Sequence, residues 1–370
     1  MIDFELDEEQ QLIRDTVVSF ARDEIRPHAR EADETGIVPA ALVKQGWELG
    51  LVQSIIPEEY GGFGNPHSAV TGAVIGEELA YGDLSIAMHL LAPRLITVPV
   101  VEFGSEDLKK TLLPTFCGDD FQAGSAAVME PRIDFDASAP ATRLVRDGDD
   151  YVVTGQKCYV PLGAEAQHFL VLAGSQNGNG SGTVHPQAIV VARDTPGLTV
   201  GERERNMGIK ALATTGLGLD ACKVSGDHVL TGGDEGSARL ANLSRVALSS
   251  MAVGVARAAY DYARDYAKER HAFGQPIAQK QAIAFMLAEM AMEVDAMRLL
   301  TWEAAWKLDQ GQDATREAYL AKRYAADMSL KIADNAVQVL GGHGYIRDHL
   351  VELFLRNARG FATFEGLAIA

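Results

Sequence analysis

The chain has 370 residues, 47% of them hydrophobic, enough for a large core shared among two or three domains. Fifty-one acidic against thirty-three basic side chains give a net charge of −18, which argues against nucleic acid, since phosphate binding calls for excess lysine and arginine. Three scattered cysteines outside any C-x-x-C spacing, and nine histidines without an H-x-x-x-H pair, speak for a reducing cytoplasm and against disulfides or a metal centre.

Residues 1–120 read as an N-terminal helical domain. The opening stretch is acidic and lacks the apolar run of a secretory signal, and no run in the chain reaches membrane-spanning length. Gln10, Ile13, Val17, Phe20 and Ile25 follow Asp7 at roughly helical spacing, with Asp7 suited to an N-cap. Pro57 to Pro66 is a turn-rich break, after which helices resume as far as Pro114.

Residues 121–232 change texture. Tyr151-Val-Val-Thr-Gly155, Phe169 to Ala173, Ala188 to Ala192 and Leu217 to Val224 predict short strands of a middle β-barrel or sandwich domain. The stretch 177–183, rich in Asn and Gly, reads as a flexible hairpin tip.

Residues 233–370 return to helix. Ile283, Leu287, Met290, Val294 and Met297 recur at 4-3-4-3 spacing, the pattern of a long helix in a C-terminal four-helix bundle, with the methionines as core filler. A second long helix runs from Ala318 to Leu340. The expected class is α+β, in the order helices, β, helices.

Near the end stands Glu365, in Arg359-Gly-Phe-Ala-Thr-Phe-Glu-Gly366. A carboxylate beside Phe364 and Gly366, with few other charges nearby in sequence, is placed to be desolvated and to serve as a general base.

Two blocks carry a resemblance. Tyr266-Ala-Lys-Glu-Arg-His-Ala-Phe-Gly-Gln-Pro-Ile277, followed by Gln281 and Phe285 to Met292, resembles the E-R-x-x-F-G-x-P-I…Q…LAEM block of the acyl-CoA dehydrogenases. Ala336-Val-Gln-Val-Leu-Gly-Gly-His-Gly-Tyr345 resembles that family's second C-terminal signature. The resemblance implies FAD held between subunits. Arg270 would meet its pyrophosphate, Phe273 would pack on it, and Gln281, Gln338, Gly341 and Gly342 would line its ADP end. Glu365 falls where many members place the catalytic glutamate. The alternative position on a bundle helix is Ser244 here, which cannot act as a carboxylate base. Next to it, Arg245 would support substrate binding, with Phe135, Phe364 and Gly366 as further substrate contacts.

The β module departs from the family pattern. Met129-Glu-Pro-Arg-Ile-Asp-Phe-Asp136 stands for T-E-P-x-x-G-S-D, and Lys157-Cys-Tyr-Val-Pro-Leu-Gly163 for K-x-W-I-T-N-G. The flavin contacts implied are Val128, Met129, Tyr159, which keeps an aromatic face, and Pro161, which lacks the usual hydroxyl. Leu367 replaces the threonine of E-G-T, and the sequence ends at Ala370, short of the family's usual terminal helix.

The implied activity is α,β-dehydrogenation of an acyl-CoA to the trans-2-enoyl-CoA. Glu365 would take the α-proton, flavin N5 the β-hydride, and an electron-transfer flavoprotein the electrons. A homo-oligomer (dimer or tetramer) is implied. The altered β motifs keep open a half-site subunit of a heterotetramer, and a flavin oxidase is the other alternative. The acyl path would pass Ala87, Leu91 and Leu95. Arg94 beside them reads as a surface arginine or as a contact for a polar acyl group.

Overall fold

The computed structural model describes residues 5–176 and 184–370; the expected hairpin tip at 177–183 lies outside the described residues. The chain begins with α1 (Glu8–Phe20), whose N-cap Asp7 and third residue Gln10 form a reciprocal capping box. A π turn at Ala21–Ile25 leads into α2 (Arg26–Thr35). Then come α3 (Ala40–Glu48), α4 (Ala69–Gly82), α5 (Leu84–Leu91), α6 (Arg94–Phe103) and α7 (Glu106–Leu112). Helices α4 and α5 are buried along most of their length. Among the described residues no single helix is long and apolar enough to cross a membrane.

The middle section is a curled seven-stranded sheet. Its strands are β1 (Ser125–Ala127), β2 (Arg143–Asp147), β3 (Asp150–Pro161), β4 (His168–Gln176), β5 (Val184–Ala192), β6 (Leu198–Arg203) and β7 (Thr214–Ser225). Along one path the order is β1-β4-β2-β3-β7-β6, with β5 antiparallel to β4. A separate core fills the sheet, including Phe169, Val153 and Leu217. Strand β3 is bulged between Lys157 and Val160. Just there Tyr159 and Leu162 hold φ of 52° and 50°. Positive φ in non-glycine residues is costly and persists where surrounding structure enforces it, often beside functional sites.

The last section is built on α8 (Gly233–Glu269), followed by a small hairpin of β8 (His271–Ala272) and β9 (Gln275–Pro276). Helices α9 (Gln281–Asp309) and α10 (Thr315–Leu340) then run back and forth against α8, ahead of α11 (Gly342–Tyr345) and α12 (Val351–Ala358). Met290, Val294 and Met297 are buried, as the heptad-like spacing requires, while Ile283 and Leu287 are only half-buried.

Helix α4 also packs on α8 and α9, so the bundle and the first section share one core. The buried Glu77 of α4 accepts from Arg257 (2.8 Å) and Arg298 (2.9 Å), and Glu78 accepts from Arg257. Removing either arginine would leave an uncompensated charge in the interior, so these pairs fix the register of α4 on the bundle.

Candidate active site

After α12, a 3-10 turn at Arg359–Ala362 delivers the final segment. Phe364 points into the core, 4% exposed, with its ring 5.7 Å from that of Phe361 and at 73° to it. Gly360 makes room for it, since a Cβ there would fall 2.0 Å from the ring. Phe364 is therefore a core residue, where the sequence suggested a wall of the substrate site. The next residue turns the other way, and Glu365 faces a cavity of about 260 Å³. Gly366 follows with φ of 67°, its Cα so close to β-domain Val128 that a Cβ would lie 2.3 Å from Val128 Cγ2.

The cavity lies where α6, the β domain, the start of α8 and the final segment converge. Its walls are largely apolar, with Leu95, Val128, Leu172, Leu240 and Ile369 among them. Glu365, Arg245, Ser244 and Asn242 bring polar groups to it, as does Asp234, which pairs with His185 Nδ1 at 2.7 Å. Glu365 is half-buried and accepts a hydrogen bond from the Lys322 Nζ of α10 at 2.6 Å. Sequence suggested few charges around Glu365; the fold supplies one from forty-three positions upstream.

Arg245 donates to Asn242 Oδ1 (3.3 Å) and lies 5.8 Å from the Tyr319 ring, and it shares the cavity with Glu365. Buried Ser244 Oγ has no hydrogen-bond partner among the described residues. Of the loop after β1, Ala137 and Ser138 line the cavity and Phe135 does not. Of the expected acyl path, Leu95 lines it, while Ala87 and Leu91 are buried elsewhere. Arg94 is 3% exposed and borders a different cavity, which excludes the surface reading.

A buried ion pair missed from sequence anchors the β face. Lys157 Nζ donates to Glu130 Oε1 at 3.0 Å and to the carbonyl of Val128 at 3.0 Å. Glu130 also accepts the N–H groups of Ala141 (2.9 Å) and Thr142 (2.8 Å). Burial pushes Lys157 down to about 8, with Glu130 offsetting part of that. Burial opposes the charge on Glu130 too, but the Thr142 N–H, Lys157 and the Ala141 N–H outweigh it and hold the carboxyl below its usual range. The pair therefore ties Val128, and the residue after it, to β3.

For FAD, two sets of residues were expected, and the fold separates them. Val128, Met129, Tyr159 and Pro161 lie on the β domain, with Val128 in the cavity wall. Among the described residues the N–H of Met129 has no acceptor, whereas Tyr159 N–H donates to Glu204 Oε1 (3.1 Å), whose other oxygen is buried without a partner. Free backbone and carboxylate groups beside a bent strand suit a polar ring edge.

Arg270, Phe273, Gln281, Gln338, Gly341 and Gly342 gather at the opposite end of the bundle, where α8 and α10 finish and α9 begins. Sixteen residues of α10 separate Lys322 from Gln338, roughly 24 Å at 1.5 Å per residue. The Arg270 side chain has no acidic partner among the described residues, since nearby Asp265 pairs with Arg264 and Lys268. Gly341, with φ of 58° and ψ of −131°, faces open space. Phe273 is 96% exposed at the hairpin tip. An unpaired guanidinium beside bare backbone fits a diphosphate. The chemistry of the first set suits a flavin ring edge and that of the second a diphosphate, and the two sets lie in different parts of the chain.

Sequence models described as acyl-CoA dehydrogenase N-terminal, middle and C-terminal domains match residues 7–120, 125–222 and 237–368. The chain is 36% identical to "Probable acyl-CoA dehydrogenase YngJ" of Bacillus subtilis over 99% of this chain and 96% of that protein. The solved butyryl-CoA dehydrogenase of Megasphaera elsdenii superposes with a TM-score of 0.88 at 30% identity, covering 99% of this chain and 96% of that one. A chain solved in work on the "Electron transferring flavoprotein of Acidaminococcus fermentans" superposes with a TM-score of 0.87 at 31% identity, covering 99% and 96%.

Proposed function

The chain belongs to the acyl-CoA dehydrogenase family of FAD-using oxidoreductases, and we propose that it converts an acyl-CoA to its trans-2-enoyl-CoA with Glu365 as the base. The observation that carries this reading is Glu365 on the wall of a largely apolar cavity it shares with β-domain Val128, where the other lining carboxylate, Asp234, is taken up by His185 at 2.7 Å. FAD, when bound, supplies the acceptor for the β-hydride. Its ring would be held by Val128, Met129, Tyr159 and Pro161.

The α-proton of a thioester is too weakly acidic for a carboxylate to remove unaided. Backbone N–H groups near Glu365 would have to stabilise charge developing on the thioester oxygen. The apolar walls leave the carboxylate only partly open to water, and a bound acyl-CoA would cover more of it. Lys322 aims that carboxylate through a charge-assisted hydrogen bond, and Arg245 stands beside it as the second cation of the site.

The separation of the two cofactor sets supports an oligomer in which Arg270, Gln338 and Gly341 serve a neighbour's FAD. The exposed Phe273, Phe285, Met292 and Tyr345 of the same section supply apolar area for such an interface. Passing electrons to an electron-transfer flavoprotein is the matching outlet.

The test is to purify the chain alone, record its visible absorbance and titrate it anaerobically with butyryl-CoA and octanoyl-CoA. Bound flavin that bleaches on addition supports the reading. Protein that stays colourless after FAD is added overturns it in favour of a half-site subunit, and hydrogen peroxide release without an added acceptor would make it an oxidase.

A further inference from the structure

Arg94 opens α6 almost wholly buried, yet meets no acid among the described residues. Among the described residues its side chain makes one hydrogen bond, from Nη1 to the carbonyl of Leu51 at 2.9 Å. Among the described residues no carboxylate lies within ion-pair distance of it. Burial pushes Arg94 down to about 10, so it keeps its charge at neutral pH. A buried cation without a counter-charge is strongly unfavourable, and a guanidinium cannot readily escape by deprotonation.

The side chain borders a second cavity, of about 520 Å³, which lies between α1, the start of α4 and the segment 49–66 and opens to solvent past Leu12 and Phe63. It shares no lining residue with the Glu365 cavity. Leu12, Ile13, Leu49, Ile55, Phe63 and Ile75 make its walls apolar. The polar groups around it are mostly committed: Gln10 Nε2 donates to Thr71 Oγ1 (3.3 Å), and Ser68 Oγ to Asp309 (2.7 Å). Asp7 and Glu9 stand at its exposed rim. A volume of this size is typical of small-molecule sites.

We propose that this cavity is a second ligand site, for a monocarboxylate with an apolar body, whose carboxylate pairs with Arg94. One negative charge neutralises the guanidinium, and the apolar walls take a hydrocarbon or aryl portion. The rim carboxylates repel any further negative charge, which selects against dicarboxylates, phosphates and CoA esters. The site does not depend on Glu365 being the base.

The probe is octanoate, titrated calorimetrically into the wild-type flavoprotein, with octanamide as its uncharged match. One octanoate is expected per chain, bound at least tenfold more tightly than octanamide, with the KM for octanoyl-CoA unchanged at saturation. Arg94→Met, which removes an unpaired charge and keeps the volume, is expected to fold at least as stably and to lose the preference for the acid. No octanoate binding at millimolar concentration, equal binding of the amide, unchanged binding in Arg94→Met, or competition with acyl-CoA would each overturn the site. The comparison of acid with amide decides the matter even if the variant fails to fold.

Discussion

Gly366→Ala tests how the final segment aims Glu365. A residue other than glycine at φ of 67° costs about 1–2 kcal/mol. The new methyl would fall 2.3 Å from Val128 Cγ2 and 2.5 Å from Val128 Cβ, and overpacking of that kind adds about 1–3 kcal/mol. Roughly 2–5 kcal/mol of local strain is relieved most easily by shifting the segment, because Glu365 itself is only half-buried. A shift of about 1 Å in a reacting group costs on the order of a hundredfold in rate. We expect Gly366→Ala to keep its FAD and to bleach about a hundredfold more slowly with acyl-CoA in stopped-flow experiments. Val128→Gly removes both methyls and the Cβ that stands 2.5 Å from the new methyl, so the double variant should recover at least tenfold over Gly366→Ala, a coupling expected only of residues in contact. Wild-type speed in Gly366→Ala, or no recovery in the double variant, would refute the reasoning.

Other consequences follow from the same geometry. Phe364→Ala should cost about 4 kcal/mol of stability, as for other buried Phe truncations, while leaving the KM for acyl-CoA near wild type; a raised KM with unchanged thermal stability would return Phe364 to the substrate wall. Lys322→Met should slow flavin reduction at least tenfold with FAD content and KM little changed, because Glu365 loses its aiming partner; an unchanged rate removes Lys322 from the site. Asp83 N-caps α5 through Ile86 N–H from a buried position, and burial raises it from 3.8 to about 6, with the Ile86 N–H and Arg26 offsetting part of the rise. A raised carboxyl lends stability that is full below about pH 4 and lost as pH climbs through 6, on the order of 3 kcal/mol for a shift of about two units. Asp83→Asn keeps a good cap, so in urea unfolding its stability relative to wild type should rise between pH 4.5 and 7; a constant difference would contradict this.

The helices were legible because their signals are local. Asp7 and Gln10 announce the start of α1, and the 4-3-4-3 spacing marks α9. Strands β3, β4, β5 and β7 were visible as apolar runs. Strands β1, β2 and β6 were not: β1 has three residues, and β2 and β6 are exposed along most of their length. The site was legible only in part. Motif resemblance marks Glu365 and Arg245, which the fold brings to one cavity. Lys322 and the Glu130–Lys157 pair carry no local signal, because each joins elements far apart in sequence. The orientation of Phe364 depends on the 3-10 turn before it, and the burial of Arg94 on helices that close around it; no spacing encodes either.

The central claim is that Glu365 removes the α-proton. The direct measurement is anaerobic mixing of the Glu365→Gln flavoprotein with butyryl-CoA, following flavin absorbance. Glutamine keeps the shape and can still face Lys322 with its carbonyl oxygen, but it cannot accept the proton. The account predicts normal FAD content, retained acyl-CoA binding and a reduction rate lower by at least three orders of magnitude. Bleaching at the wild-type rate would contradict it and move the base elsewhere in the cavity.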